Sequence, residues 1–144
     1  MLFKFYSKAV IGPSVFVLLA NIIYAIAYAR LSNYKSEWET ADSNAKYMLI
    51  FGVFNSVVIG ILSLPIFLNT YPSINSNPLL RLLSWFLLPA TWHMFIFWVS
   101  SQDYSASEDL IENPFILAAI NTWPYILGLW FTYKQFHKQI SKAV

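Results

Sequence analysis

Asn21, Asn55, His93 and Asn121 are the side chains through which this sequence can do chemistry. Each is a strong hydrogen-bonding group, and each lies inside a different long apolar run. Amides and an imidazole surrounded by Leu, Ile, Phe and Val have two uses. They bond to one another across helices and set register, or they line a polar pocket that receives a ligand. Tyr24 and Tyr28 follow Asn21 at i+3 and i+7, so the phenols lead along one helix face away from the first amide. Trp92 and Trp123 flank His93 and Asn121 as candidate aromatic walls, and Thr91 and Thr122 lie near the same level.

Several chemistries lack their parts. No Asp or Glu falls inside any of the apolar runs, so a proton relay through His93, or drug–proton exchange on a carboxylate within the membrane, has no acid to use. The second histidine, His137, lies beyond the last run, which removes a bis-histidine haem. There is no cysteine, hence no disulfide, thiolate metal site, CxxC redox pair or palmitoylation. One histidine without cysteine or acid is too poor a set for zinc or iron. His93 with Ser56 or Ser63 can be drawn as a Ser–His pair, but nothing in the sequence orients the base. Four glycines make no phosphate loop, and a net charge of +2 supplies no basic domain for nucleic acid. The expectation is a protein that is not an enzyme and holds no cofactor or metal.

The elements that must position these residues are long. The apolar runs cover about residues 9–29, 47–68, 79–100 and 114–133. Each has ~20 residues, which at ~1.5 Å per residue matches a hydrocarbon core of ~30 Å. Hydrophobic residues make up 58% of the chain and charged ones 11%, against roughly 25% charged in soluble domains. The runs do not alternate as barrel strands would. The prediction is all-α: a polytopic membrane protein, one domain over residues 1–144, built as a four-transmembrane-helix bundle. In that frame the four polar residues share a depth, about 7 to 9 residues or ~10–13 Å below one membrane face.

Packing signals are present in three runs. Gly52, Ser56 and Gly60 stand at i, i+4 and i+8, a small-residue stripe for close helix approach, inside the bundle in preference to a homodimer. Ala25 and Ala29, and Ala118 and Thr122, offer similar seats. Pro65, Pro89 and Pro124 predict kinks, freeing the carbonyls of Ile61, Trp85 and Ile120.

Charge sets the orientation. With both termini cytoplasmic, Lys4, Lys8, Arg81, Lys134, Lys138 and Lys142 lie inside, and Arg30, Lys35 and Lys46 outside, as the positive-inside rule asks. All seven acids then fall outside. The tail, residues 134–144, repeats lysine every four residues and is read as a basic face touching anionic lipid. Ala27-Tyr28-Ala29 imitates a signal cleavage site, but the preceding run is longer than the ~7–15 residues of a signal core. The setting expected is a bacterial inner membrane.

Two functions fit. The first is a non-enzymatic protein acting through protein contacts in the bilayer, as an accessory subunit of a membrane complex or an immunity-type guard, with Trp38 and the acidic run of residues 103–112 as contact candidates. The alternative is a binder or carrier of a small hydrophobic ligand, using Asn21, Tyr24, Asn55, His93 and Asn121. The aromatics do not separate the two, since Trp98 and Trp130 fall near membrane interfaces where Trp is common.

Overall fold

A long apolar run in lipid must satisfy its backbone within itself, and a helix is how one segment does that. In the computed structural model, which describes residues 1–31, 41–102 and 113–140, every element among the described residues is helical. Four stretches are long and apolar enough to cross a membrane: Leu2–Leu31, Ser43–Thr70, Pro78–Gln102 and Pro114–Ile140. The first starts as α1 (Leu2–Tyr6), opens into one π-helical turn (Ser7–Ile11) and continues as α2 (Gly12–Leu31). The second is α3 (Ala41–Leu62), which tightens into a 3-10 segment (Leu64–Thr70) before the short α4 (Pro72–Asn75). The others are α5 (Pro78–Gln102) and α6 (Pro114–Ile140). The helices overrun the apolar runs. The extension of α6 places Lys134 and Lys138 one turn apart, while Lys142 lies outside the described residues.

The prolines act differently from one another. At Pro65 the α-helix has already ended and the 3-10 segment begins, with proline in its first turn where no N–H is missed. Pro89 and Pro124 sit inside unbroken helix. The π turn directly precedes Pro13, whose missing N–H leaves the Ala9 carbonyl without its usual helical partner.

Sequential helices run antiparallel. Lys8 Nζ donates to Gln135 Oε1 at 3.4 Å, Ser14 Oγ meets Tyr125 Oη at 2.9 Å, and Asn21 meets Asn121, so one chain rises as the other falls. Tyr6 Oη donates to the Gly60 carbonyl at 2.8 Å, while Gly52 lies against Asn21. The rings of Trp85 and Tyr133, and of His93 and Tyr125, set α5 and α6 antiparallel as well. The N-terminus, the 3-10 corner and the end of α6 therefore share one end of the bundle, called here the terminal end.

The polarity is turned inside out. Phe16, Ile23, Val57 and Met94 lie on the outer surface, while all three layer asparagines and His93 are buried. On α6, besides Asn121, the buried positions Ala118, Thr122, Tyr125, Leu129, Thr132 and Phe136 alternate steps of four and three and so line one face of the helix. Apolar packing is thickest at the terminal end. There Phe136 meets Phe5 edge-on and Trp85 at a tilt, each with ring centroids 5.3 Å apart. Val17, Ile59 and Tyr125 form the next level, and the asparagines lie beyond it.

Candidate functional site

Asn21 and Asn121 face each other as a reciprocal amide pair. Asn21 Nδ2 donates to Asn121 Oδ1 at 3.1 Å, and Asn121 Nδ2 donates back to Asn21 Oδ1 at 3.2 Å. Each uses its other N–H on a carbonyl one turn earlier, Val17 at 2.8 Å and Leu117 at 2.9 Å. Both amides therefore spend all their donors. Asn55 Nδ2 reaches the Asn121 carbonyl at 3.0 Å, and Asn55 Oδ1 accepts from Trp92 Nε1 at 2.8 Å. The network runs α2–α6–α3–α5 and ties the four long helices together. Its member on α5 is Trp92, where the sequence reading put His93.

The small-residue stripe of α3 serves this layer. A Cβ on Gly52 would stand 2.9 Å from Asn21 Cγ and Nδ2, so only glycine lets the amide lie flat against the α3 backbone. Ser56 Oγ donates to the Gly52 carbonyl at 2.9 Å and accepts from Tyr125 Oη at 2.8 Å, with Ser14 on the other side of that phenol. A Cβ on Gly60 would stand 3.5 Å from Tyr6 Oη, an ordinary contact. The stripe faces the first helical stretch within one chain.

His93 stands apart. It is 4% exposed, its ring lies 6.1 Å from that of Tyr125, and neither ring nitrogen has a partner among the described residues. Thr122 Oγ1 is likewise buried without a partner among them. Both residues line one groove of about 510 Å³ between α5 and α6. Its walls are Phe86, Met94, Phe97, Ile126 and Leu129, and Pro89 and Ala90 add little bulk on the α5 side. No charged side chain lines it.

No family model, curated protein or solved structure matches this chain.

The remaining sequence candidates divide. Tyr24 and Tyr28 line a separate recess of about 470 Å³ with Asn44, Tyr47 and Asn113, at the end of the bundle away from the termini. Trp123 is 57% exposed and lines neither this recess nor the groove. Trp38 and residues 103–112 lie outside the described residues. Ser56 is engaged with Tyr125 and Gly52, and His93 bonds neither it nor Ser63, so the bundle assembles no Ser–His pair among the described residues. Nor does any group of three or more His, Asp or Glu among them stand ready for a metal.

One cluster went unread in the sequence. Arg81, expected only to set topology, is buried at the terminal end, with Nη1 on the Asn75 carbonyl at 3.1 Å. Asn69 Nδ2 donates to Ser84 Oγ at 2.7 Å, and Ser84 Oγ to the Arg81 carbonyl at 2.8 Å. These bonds close the corner where the 3-10 segment, α4 and α5 meet. The signal was the string Asn69–Pro78, whose polar turn-formers fold onto the first turn of α5.

Proposed function

We propose that this is a non-catalytic integral membrane protein that works by holding a small hydrophobic ligand in the α5–α6 groove. One observation carries the reading: His93 and Thr122, which line an apolar groove, keep buried polar atoms without a partner among the described residues, while Asn21, Asn55 and Asn121 of the same layer are held by hydrogen bonds across the bundle. A buried polar group without a partner costs about 1–3 kcal/mol, and a bound molecule offering a hydrogen bond removes that cost. A groove of about 510 Å³ falls in the ~300–1,000 Å³ range of small-molecule sites. The three asparagines then act as a structural clamp, and the binding role narrows to the fourth polar residue.

The test is native mass spectrometry of the protein extracted gently from its own membrane. A retained small mass that disappears in His93→Leu supports the reading. The same variant is expected to unfold no more easily than the parent, because removing a side chain whose polar atoms have no partner breaks no bond. A stoichiometric second protein would return the function to protein contacts in the bilayer, the first expectation from sequence. Recovery of the bare protein, with no small mass and no partner, would overturn the groove.

For the setting we propose a bacterial inner membrane with both termini cytoplasmic. Lys4, Lys8, Lys134 and Lys138 gather at the terminal end with Arg81, against Arg30 and Lys46 at the other, in support of that orientation. A chain without cysteine makes the check clean. In intact cells a membrane-impermeant maleimide is expected to label Ser101→Cys, and to label Lys134→Cys only after permeabilisation. The reverse pattern inverts the topology.

A further inference from the structure

We infer that the groove's ligand is an uncharged, lipid-soluble molecule that presents one carbonyl or hydroxyl oxygen to His93 and Thr122. This rests on the groove being a binding site. The polar capacity available is small and specific. An imidazole offers one N–H and one bare nitrogen, and a hydroxyl offers one donor and its lone pairs. A carbonyl oxygen has two lone pairs, enough to accept from His93 and from Thr122 at once. A hydroxyl head accepts one of those bonds and donates the other. A carboxylate or phosphate head fits poorly, because no Lys or Arg lines the groove to compensate its charge, and an ammonium finds no acid there. A hydrocarbon without oxygen leaves both residues as they are.

The walls specify the rest of the molecule. Phe86 and Phe97, with Met94 and Ile126 at the rim, present aromatic, thioether and branched aliphatic surface to a chain or a ring. The polar atoms of His93 and Thr122 are themselves closed off by the side chains around them. The head therefore enters by parting α5 from α6 near Ala90 and Pro89, where the α5 wall is thinnest. Pro89 removes one backbone bond of α5 at this level, which lowers the resistance to that movement. Access is from the side of the bundle. Isoprenoid alcohols and isoprenoid quinones both supply this chemistry and are sources the experiment separates.

The test is photo-crosslinking of the purified full chain in nanodiscs with a diazirine analogue of farnesol, with labelled residues mapped by mass spectrometry. Label is expected on Met94, Phe97 or Ile126, and to be competed by farnesol, by decylubiquinone or by both, which tells alcohol from quinone. Palmitate and farnesane, the saturated hydrocarbon, are expected to compete at least about tenfold less well, the discrimination given by roughly one hydrogen bond at a site built for it. Thr122→Val is expected to weaken competition by a similar factor, about tenfold, while Thr122→Ser keeps it. The serine variant also shows that any loss in Thr122→Val is loss of the hydroxyl and not of the fold. Palmitate or farnesane competing as well as farnesol would overturn the head-group assignment and leave the groove standing. Label spread evenly over all four helices, or absent from α5 and α6, would overturn the groove itself.

Discussion

Replacing Asn121 by alanine is expected to destabilise the bundle by about 2–4 kcal/mol, because it removes two interhelical hydrogen bonds worth ~0.6–2 kcal/mol each and strands the Asn21 amide. The reciprocal pair is what makes the effect large. Asn21 loses both its acceptor on Asn121 and the donor to its own Oδ1, and its surroundings, 1% exposed, give it no water to turn to. The bond from Asn55 to the residue 121 carbonyl is a backbone contact and survives the substitution. The double variant Asn21→Ala, Asn121→Ala should therefore cost less than the sum of the singles by about 1–2 kcal/mol, the coupling typical of directly bonded residues. Gly52 extends the cycle. In the parent, Gly52→Ala pushes against the Asn21 amide and should destabilise. In the Asn21→Ala background the amide is gone and only the residue 21 Cβ, 3.3 Å from the new methyl, remains, so the same change should cost clearly less. Reversible unfolding in mixed micelles reads all of these. Additive singles would mean that the amides do not meet.

The second large effect is expected at Gly128, where alanine should cost about 2–3 kcal/mol, toward the upper end of overpacking penalties. A Cβ there would lie 2.4 Å from Pro13 Cγ and 3.1 Å from the Ala9 carbonyl oxygen. Neither atom can retreat easily. Pro13 Cγ belongs to a closed ring, and Ala9 O belongs to the backbone of the π turn. α6 would have to move away from the first helical stretch, loosening the packing of Phe5 against Phe136 on one side and the Asn21–Asn121 pair on the other. Two companion variants make the cause checkable. Gly12→Ala meets nothing within 4 Å and should be neutral or slightly stabilising, since alanine favours helix by up to ~1 kcal/mol over glycine. Pro13→Ala combined with Gly128→Ala should recover part of the loss, because the ring that obstructs the new methyl is removed. Equal loss in Gly12→Ala and Gly128→Ala would place the effect in helix propensity instead of close approach.

Much of this was legible in the sequence because it is local. Runs of ~20 apolar residues force helices long enough for a bilayer, and the spacing of Gly52, Ser56 and Gly60 marks a face that admits a close neighbour. That one strongly polar residue sits in each run at a common depth is arithmetic on the chain, and three of the four do meet. The prolines carried more than the kinks read from them. Pro65 marks a change of helix type, and Pro13 follows a π turn that no periodicity reported. Gly128 went unread, although Thr132 stands four residues further on. Its importance comes from a proline more than a hundred positions away.

What the sequence determined by itself is the set of helices, their order and the depth of the polar groups, since composition and rise per residue are properties of each segment alone. Which polar groups bond was decided only by the tertiary structure. Trp92 and His93 are neighbours, and on a helix neighbours point ~100° apart. The rotation of α5 against α3 and α6 turned Trp92 onto Asn55 and left His93 beside Tyr125, facing the groove with Thr122. That rotation is set by bulk elsewhere along α5, chiefly Trp85 packed against Phe136 and Tyr133 at the terminal end. A one-residue choice between a bonded side chain and a buried one without a partner among the described residues therefore goes with aromatic packing two turns away.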